Sequence, residues 1–166
     1  MKTILIEKLT RITLNRRRLE ELLNVKITNR GKEVTIEGGP ENEYLAEKVI
    51  DALNFGFPFS TAVLIASNDF VFEVLNIKNY TKRKVMKTVR ARIIGKGGKT
   101  LKILSDLTQC NFELKDNFIG VIGPAECMKN AEEAIRSITQ GSKQANVYKF
   151  LEERQVREPI DLGLKK

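Results

Sequence analysis

Apolar positions along the chain change period in the same order twice. Thr3-Ile4-Leu5-Ile6 is an apolar run of strand length that ends at Glu7-Lys8. Leu9 to Leu14 and Arg16 to Leu23 then carry apolar residues at helical spacing, with Asn15 between them as the expected cap of the second helix. Val25-Lys26-Ile27 and Val34-Thr35-Ile36 alternate as a hairpin around a turn at Asn29-Arg30-Gly31-Lys32. Gly38-Gly39-Pro40 closes that hairpin, and from Glu43 the positions Leu45, Ala46, Val49, Ile50 and Leu53 describe an amphipathic helix running to Gly56.

The second half follows a short apolar helix, which Pro58-Phe59-Ser60 opens and Asn68-Asp69 closes. Val71 to Ile77 reads as a strand. Thr81 to Arg92 predicts a helix with Val85, Val89 and Ile93 on one face and a dense basic set on the other. Leu101, Ile103, Leu104 and Leu107 mark a further helix, with Lys99 and Lys102 pointing outward. Phe112-Glu113-Leu114 and Phe118 to Ile122 form a hairpin around Lys115-Asp116-Asn117, and Ala125 to Gln140 closes the set with a helix. Helical spacing resumes over the segment from Gly141 to Glu152. Past Arg154 the chain turns polar and meets Pro159, so a loose, basic-ended tail is expected over 155–166.

The two halves match in one register. Leu19 meets Leu104 at an offset of 85 residues, and at that offset Ile27 meets Phe112, Val34 meets Ile119, Ile36 meets Val121, Gly38 meets Gly123, Ala46-Glu47 meets Ala131-Glu132 and Gly56 meets Gly141. Agreement at turn glycines, strand pairs and a helix dipeptide without a gap indicates two copies of one module. The fold class expected is α+β: two modules, each a small antiparallel sheet with helices on one face. Their bounds are read as 1–70 and 71–154. No Gly/Ser-rich or Pro-rich spacer separates them, so a rigid tandem packed through the joining helix is expected.

The candidate chemistry lies where the copies differ. Ile93-Ile94-Gly95-Lys96-Gly97-Gly98-Lys99-Thr100-Leu101-Lys102 runs from an apolar pair through a glycine-and-lysine turn into a helix. Glycines reach backbone angles barred to other residues and let another backbone come close. The helix N-terminus behind them favours an anion, and Lys96 and Lys99 add cations. Gly98-Lys99-Thr100 resembles the end of a nucleotide-binding P-loop, but that motif needs a glycine where Ile93 stands. The same register sets Thr10-Arg11-Ile12-Thr13 opposite Gly95 to Gly98. Threonine is β-branched and resists positive φ, so the first copy is expected to bind weakly or serve as a packing and partner surface, with substitutions at Arg11 and Ile12 barely changing RNA affinity. Arg16-Arg17-Arg18 reads equally as a phosphate contact or a solvated helix face.

Charge and composition narrow the class. With 29 Lys+Arg against 21 Asp+Glu the formal charge is +8, which favours a polyanionic partner. There is no histidine, and Cys110 and Cys127 are the only cysteines, so zinc ligation and imidazole-based catalysis lack their residues. The two thiols are expected to be buried and unbridged. No cofactor is expected. No run reaches membrane-span length and no signal peptide is read, so a cytoplasmic, membrane-free protein is expected.

The stretch Ile93-Ile94-Gly95-Lys96-Gly97-Gly98, continued by Leu101-Lys102, Leu104, Thr108, Phe112 and Leu114, resembles the signature of the KH single-strand RNA-binding domain, with its GXXG loop at Gly95 to Gly98. Gln109 stands where that signature usually has glycine. The resemblance implies type I KH modules. Gly95 to Gly98 would clamp an RNA backbone, Arg92, Lys96, Lys99 and Lys102 would pair with phosphates, and Ile94, Leu101, Leu104, Phe112 and Leu114 would divide between groove and core. The tandem with one degenerate loop, followed by Val147-Tyr148-Lys149-Phe150-Leu151-Glu152, resembles the archaeal form of the partner-of-Nob-one family. That resemblance implies a non-enzymatic factor in small ribosomal subunit assembly that binds the 3′ region of small-subunit ribosomal RNA and assists its 3′-end maturation. It implies the Nob-one endonuclease and the alpha subunit of initiation factor two as partners. KH-type binding of other RNAs, in translation or decay, is the alternative; an RNA-processing or ATP-driven enzyme using Gly98-Lys99-Thr100 and a pure protein scaffold are the readings from other classes.

Overall fold

The computed structural model describes residues 1–155, in which two three-stranded antiparallel sheets are each backed by helices. The first module runs β1 (Lys2–Leu5), α1 (Leu9–Thr13), α2 (Arg16–Leu23), β2 (Lys26–Arg30), β3 (Glu33–Glu37) and α3 (Pro40–Phe55). Its sheet has the order β1-β3-β2. Two single-turn helices, α4 (Phe59–Ala62) and α5 (Leu64–Ser67), join it to the second module. There β4 (Val71–Asn76), α6 (Met86–Ile94), α7 (Lys99–Thr108), β5 (Asn111–Lys115), β6 (Phe118–Gly123) and α8 (Ala125–Thr139) repeat the order, with strands arranged β4-β6-β5. A last helix, α9 (Gln144–Glu153), packs on α7 and α8. The tail expected over 155–166 lies, beyond Gln155, outside the described residues.

Each sheet lays its alternate residues on a helical layer. Ile27, Val34 and Ile36 meet Ala46, Val49, Ile50 and Leu53 of α3 in one core, and Leu75, Ile119 and Val121 meet Ala131, Ala134, Ile135 and Ile138 of α8 in the other. Three details depart from the sequence reading. The basic helix begins at Met86, and Val85 precedes it in extended conformation, 63% exposed instead of inward-facing. Three cations in a row, Lys82-Arg83-Lys84, oppose the positive end of a helix dipole, which disfavours helix over that stretch. Asn15 does not cap α2 with its side chain, but donates from Nδ2 to the Arg11 carbonyl at 2.7 Å, satisfying an acceptor at the end of α1. The buried stripe of α7 is Thr100, Leu104 and Thr108, with Leu101, Ile103 and Leu107 half-buried beside it.

The modules meet on the outer face of the second sheet. Glu113 of β5 and Val74 of β4 are paired across Gly120 of β6, so all three share that face. A Cβ at Gly120 would lie 2.8 Å from both the Phe55 and the Phe57 rings. Glycine is therefore what lets the end of the first module settle on the strand. Phe55, Phe57 and Phe72 surround it with ring centroids 5.8 to 6.1 Å apart, in stacked and edge-on pairs. Ile122 belongs to the core of the first module although it stands in the sheet of the second. At the rim, Lys115 Nζ lies 3.2 Å from Glu7 Oε2. The matching face of the first sheet carries the row Thr3, Thr35 and Thr28 and has no such cover.

Gly120→Val should therefore lower stability by about 1–3 kcal/mol, the usual cost of overpacking, although valine is the better strand former. A urea unfolding midpoint equal to that of the parent chain would show that the modules do not interlock here.

Candidate nucleic-acid interface

The glycine turn sits between two helices that the core holds fixed. Val89 and Ile93 anchor α6, and Thr100 and Leu104 anchor α7, all buried. Gly95 ends α6 with φ +76°, and Gly97 and Gly98 follow with φ +63° and +78°. Only Gly95 is also crowded: a Cβ there would overlap the Thr100 hydroxyl and lie 2.7 Å from the Thr100 nitrogen. Gly97 and Gly98 have open space around the missing Cβ, so their backbone is accessible to an approaching strand. No side chain caps α7, and although the Lys99 N–H already donates to the Lys96 carbonyl, the positive end of the helix dipole faces the turn and favours an anion there. Lys96, Lys99 and Lys102 are exposed around this point, and Ile94 is 38% exposed at its edge.

Arg92 differs from the other candidate residues. Its Nη2 donates to the Ser142 carbonyl at 2.6 Å, fixing the guanidinium to the turn between α8 and α9. Gln109 takes the left-handed conformation, φ 60°, that glycine would take at the end of α7, and its Oε1 accepts from the Cys127 thiol at 3.4 Å. The cap geometry is thus kept without the glycine.

Beside Gly98 opens a cleft of about 360 Å³, within the usual size of small-ligand sites. Leu101 and Lys102 of α7 form one wall and the edge strand β5, with Phe112, forms the floor. The opposite wall comes from the first module: Phe57, Pro58 and Thr61. Leu104 is fully buried in the core and Leu114 is packed against it, so Leu101 and Phe112 are the groove residues among the apolar candidates. The polar lining, Ser105, Asp106, Asn111 and Glu113, and the wall from the first module are absent from the sequence reading. The available signal was Gly120 standing where the first copy has Thr35, which implies a body lying against that face.

The first module's counterpart loop is not a loop. Leu9–Thr13 is helical, and Leu14-Asn15 makes the link to α2. Ile12 is buried at 1% exposure, and Arg11 Nη1 donates to the carbonyls of Gly56 and Phe57 at 3.1 and 2.9 Å. These residues hold core and joint, so a substitution at Ile12 removes buried packing. Arg18 lies over the Phe59 ring, 4.3 Å from its centroid, which fixes α4 to α2. Arg17 stands 4.0 Å from Glu21 on an open helix face.

Cys110 and Cys127 are both buried and unbridged, and burial pushes the Cys110 thiol up to about 12. A thiol held protonated is no nucleophile. Among the described residues no three His, Cys, Asp or Glu side chains gather at a spot that could hold a metal, and no helix is long and apolar enough to cross a membrane.

A β-α-α-β-β-α unit whose first two helices are joined by a glycine turn, with a groove between the second helix and an edge strand, is a type I KH module. Residues 71–156 match the family model of the second KH domain of PNO1, described as a eukaryotic-type KH domain, type I. The chain is 30% identical over 141 residues to the KH domain-containing protein MJ0443 of Methanocaldococcus jannaschii, covering 81% of this chain and 62% of that one. It is 26% identical over 134 residues to the RNA-binding protein pno1 of Drosophila pseudoobscura, covering 76% and 56%. It thus spans less than two thirds of these curated relatives. Among solved structures, Dim2p of Pyrococcus horikoshii matches with a TM-score of 0.82 at 24% identity, over 92% of this chain and 98% of that one. The complex of a/eIF2alpha, aDim2p and rRNA from the same organism matches with a TM-score of 0.80 at 24% identity, over 92% of each chain. The chain belongs to the partner-of-Nob-one (PNO1) family of tandem KH proteins.

Proposed function

We propose that this protein is a single-stranded RNA-binding factor of small ribosomal subunit assembly. It grips the 3′ region of small-subunit ribosomal RNA and assists its 3′-end maturation. The observation that carries the RNA reading is the turn between α6 and α7, where open glycines at positive φ, an uncapped helix N-terminus and exposed Lys96, Lys99 and Lys102 converge beside a groove. The ribosomal reading is supported by family membership and by a structural neighbour solved with rRNA. The Nob-one endonuclease and the alpha subunit of initiation factor two are the protein partners we assign on the same ground, the latter supported by the content of that complex. The division into residues 1–70 and 71–154 makes the second module the RNA-gripping unit, with Gly95 to Gly98 on the backbone and Ile94, Leu101 and Phe112 toward the bases.

Lys96→Asp with Gly97→Asp reverses the charge of the turn where space is open, and aspartate tolerates the left-handed backbone better than most residues. Binding of a single-stranded RNA oligonucleotide should be lost while the urea midpoint stays near that of the parent chain. If weak binding survives, its logarithmic salt dependence should be shallower by about 0.7 per phosphate contact removed. Equal affinity in parent and variant would end the clamp reading.

A crosslinking map of RNA bound in cells separates the ribosomal role from other RNA work. Contacts should cluster at the 3′ end of small-subunit ribosomal RNA; contacts scattered over messenger RNAs would favour a factor in translation or decay.

A further inference from the structure

From Val74 to Ser105 the chain carries ten lysines and arginines and no carboxylate. Only part of that charge belongs to the glycine turn; the rest lies on α6 and on the strap before it, Thr81 to Val85, which is neither helix nor strand. Tyr80, where the strap starts, packs against the core of the second module, and the Arg136 guanidinium of α8 lies over its ring, 5.2 Å from the centroid. Thr81 Oγ1 then accepts from the Arg83 backbone N–H at 3.1 Å. The strap therefore follows α8 and brings Arg83 to the turn that ends it, at Gly141 and Ser142.

Two guanidiniums converge on that turn. A Cβ on Gly141 would lie 3.7 Å from Arg92 Nη1 and 3.8 Å from Arg83 Nη2. Arg92 is tied down through its other terminal nitrogen, which bonds the Ser142 carbonyl, and Arg83 is exposed. Among the described residues no ion pair involves either arginine. Two like charges gathered around one exposed point of backbone repel each other, and an anion placed between them turns that repulsion into attraction. The surroundings act in the same direction. Gly141 has φ +100° and no side chain to fill the space, and α9 begins just beyond it without a side-chain cap, so the positive end of its dipole adjoins the pair.

We infer that this arginine pair is a second phosphate site, which takes the backbone of a double-stranded RNA stem adjoining the single strand held at the glycine turn. This rests on the RNA reading above and goes beyond it by adding a site on a different face and a structural class of RNA. Guanidinium forks pair bidentately with phosphate oxygens, and two forks around one point suit a phosphodiester. Arg92 stands three residues before Gly95, about 4.5 Å along the helix axis, so one RNA reaches both places. An unpaired base has no platform here. Proteins that hold single strands stack bases on aromatic rings, and the one aromatic between Val74 and Ser105, Tyr80, is covered by Arg136. A stem is recognised through its phosphates and 2′-hydroxyls, for which cations and the exposed Ser142 are the matching groups.

The test uses the full chain and three fluorescent RNAs that share one short single strand: the strand alone, the strand with a hairpin stem at its 5′ end, and the strand with the same stem at its 3′ end. Fluorescence anisotropy should show about tenfold tighter binding, the size of one charge-assisted contact, for the stem at one end only, because one end of the strand leaves the glycine turn on the Gly141 side. Arg83→Gln should cut that gain to about twofold or less while the bare strand binds as it does to the parent. Lys26→Gln, which removes one exposed charge from the first module, should keep the gain in full. A urea midpoint of Arg83→Gln near that of the parent excludes loss of the fold. No gain from either stem, an equal gain from both, a gain unchanged in Arg83→Gln, or an equal loss in Lys26→Gln each overturns the inference. If the stems add nothing but a polyglutamate peptide binds the parent more tightly than Arg83→Gln, the pair serves an acidic protein segment and the inference fails. If the parent binds none of the RNAs, the RNA reading itself fails; if it binds all three alike, that reading stands and the second site does not.

Discussion

The absence of a side chain at Gly120 is the constraint on which the rest of the arrangement depends. Phe55 and Phe57 flank Gly56 at the end of α3 and press on that bare strand position, with Phe72 completing the cluster. Burying a phenylalanine contributes about 1.5–3 kcal/mol, and part of that burial here is against the strand of the second module. Because β6 is covered on one face by α8 and on the other by the first module, that strand is packed on both sides, whereas the threonine row of the first sheet is not and Val74 at the edge of the second stays 46% exposed. The interlock also sets where Phe57, Pro58 and Thr61 stand relative to β5, and so decides that the groove has two walls.

One module plan is used twice with different results, and the difference lies in a few atoms. In the second copy the space at Gly97 and Gly98 and the closeness of Gly95 to Thr100 make a turn that exposes its backbone. In the first copy helix continues through the equivalent residues, and Arg11 directs its guanidinium inward to two carbonyls at the joint. A cation that could have met a phosphate is spent on positioning the neighbour. Glu113 and Lys115 on the far side of that joint meet the first module as well, the latter through Glu7.

Most of the architecture was legible because it is periodic. The offset of 85 residues carried strands, helices and turn glycines into register, and the glycine turn announced itself by residue type and spacing. The errors arose where local pattern is weak. Val85 has the spacing of a buried position but precedes a helix that three successive cations delay. The inter-module groove was invisible to periodicity because its walls come from residues far apart in the chain, Phe57 to Thr61 against Gly98 to Glu113, and Glu113 reads in sequence as an ordinary outward strand residue. The mismatch of Gly120 with Thr35 was the trace left in the sequence, since a glycine in a central strand signals a close approach.

Backbone hydrogen exchange on the full chain, with and without a bound single-stranded RNA oligonucleotide, tests most directly whether the glycine turn of the second module is the grip on RNA. Protection should rise in the glycine turn and the first turn of α7, while Thr10 to Thr13 and the threonine row of the first sheet stay unchanged. Protection rising along Arg16 to Arg18 instead of at the glycine turn would contradict the account.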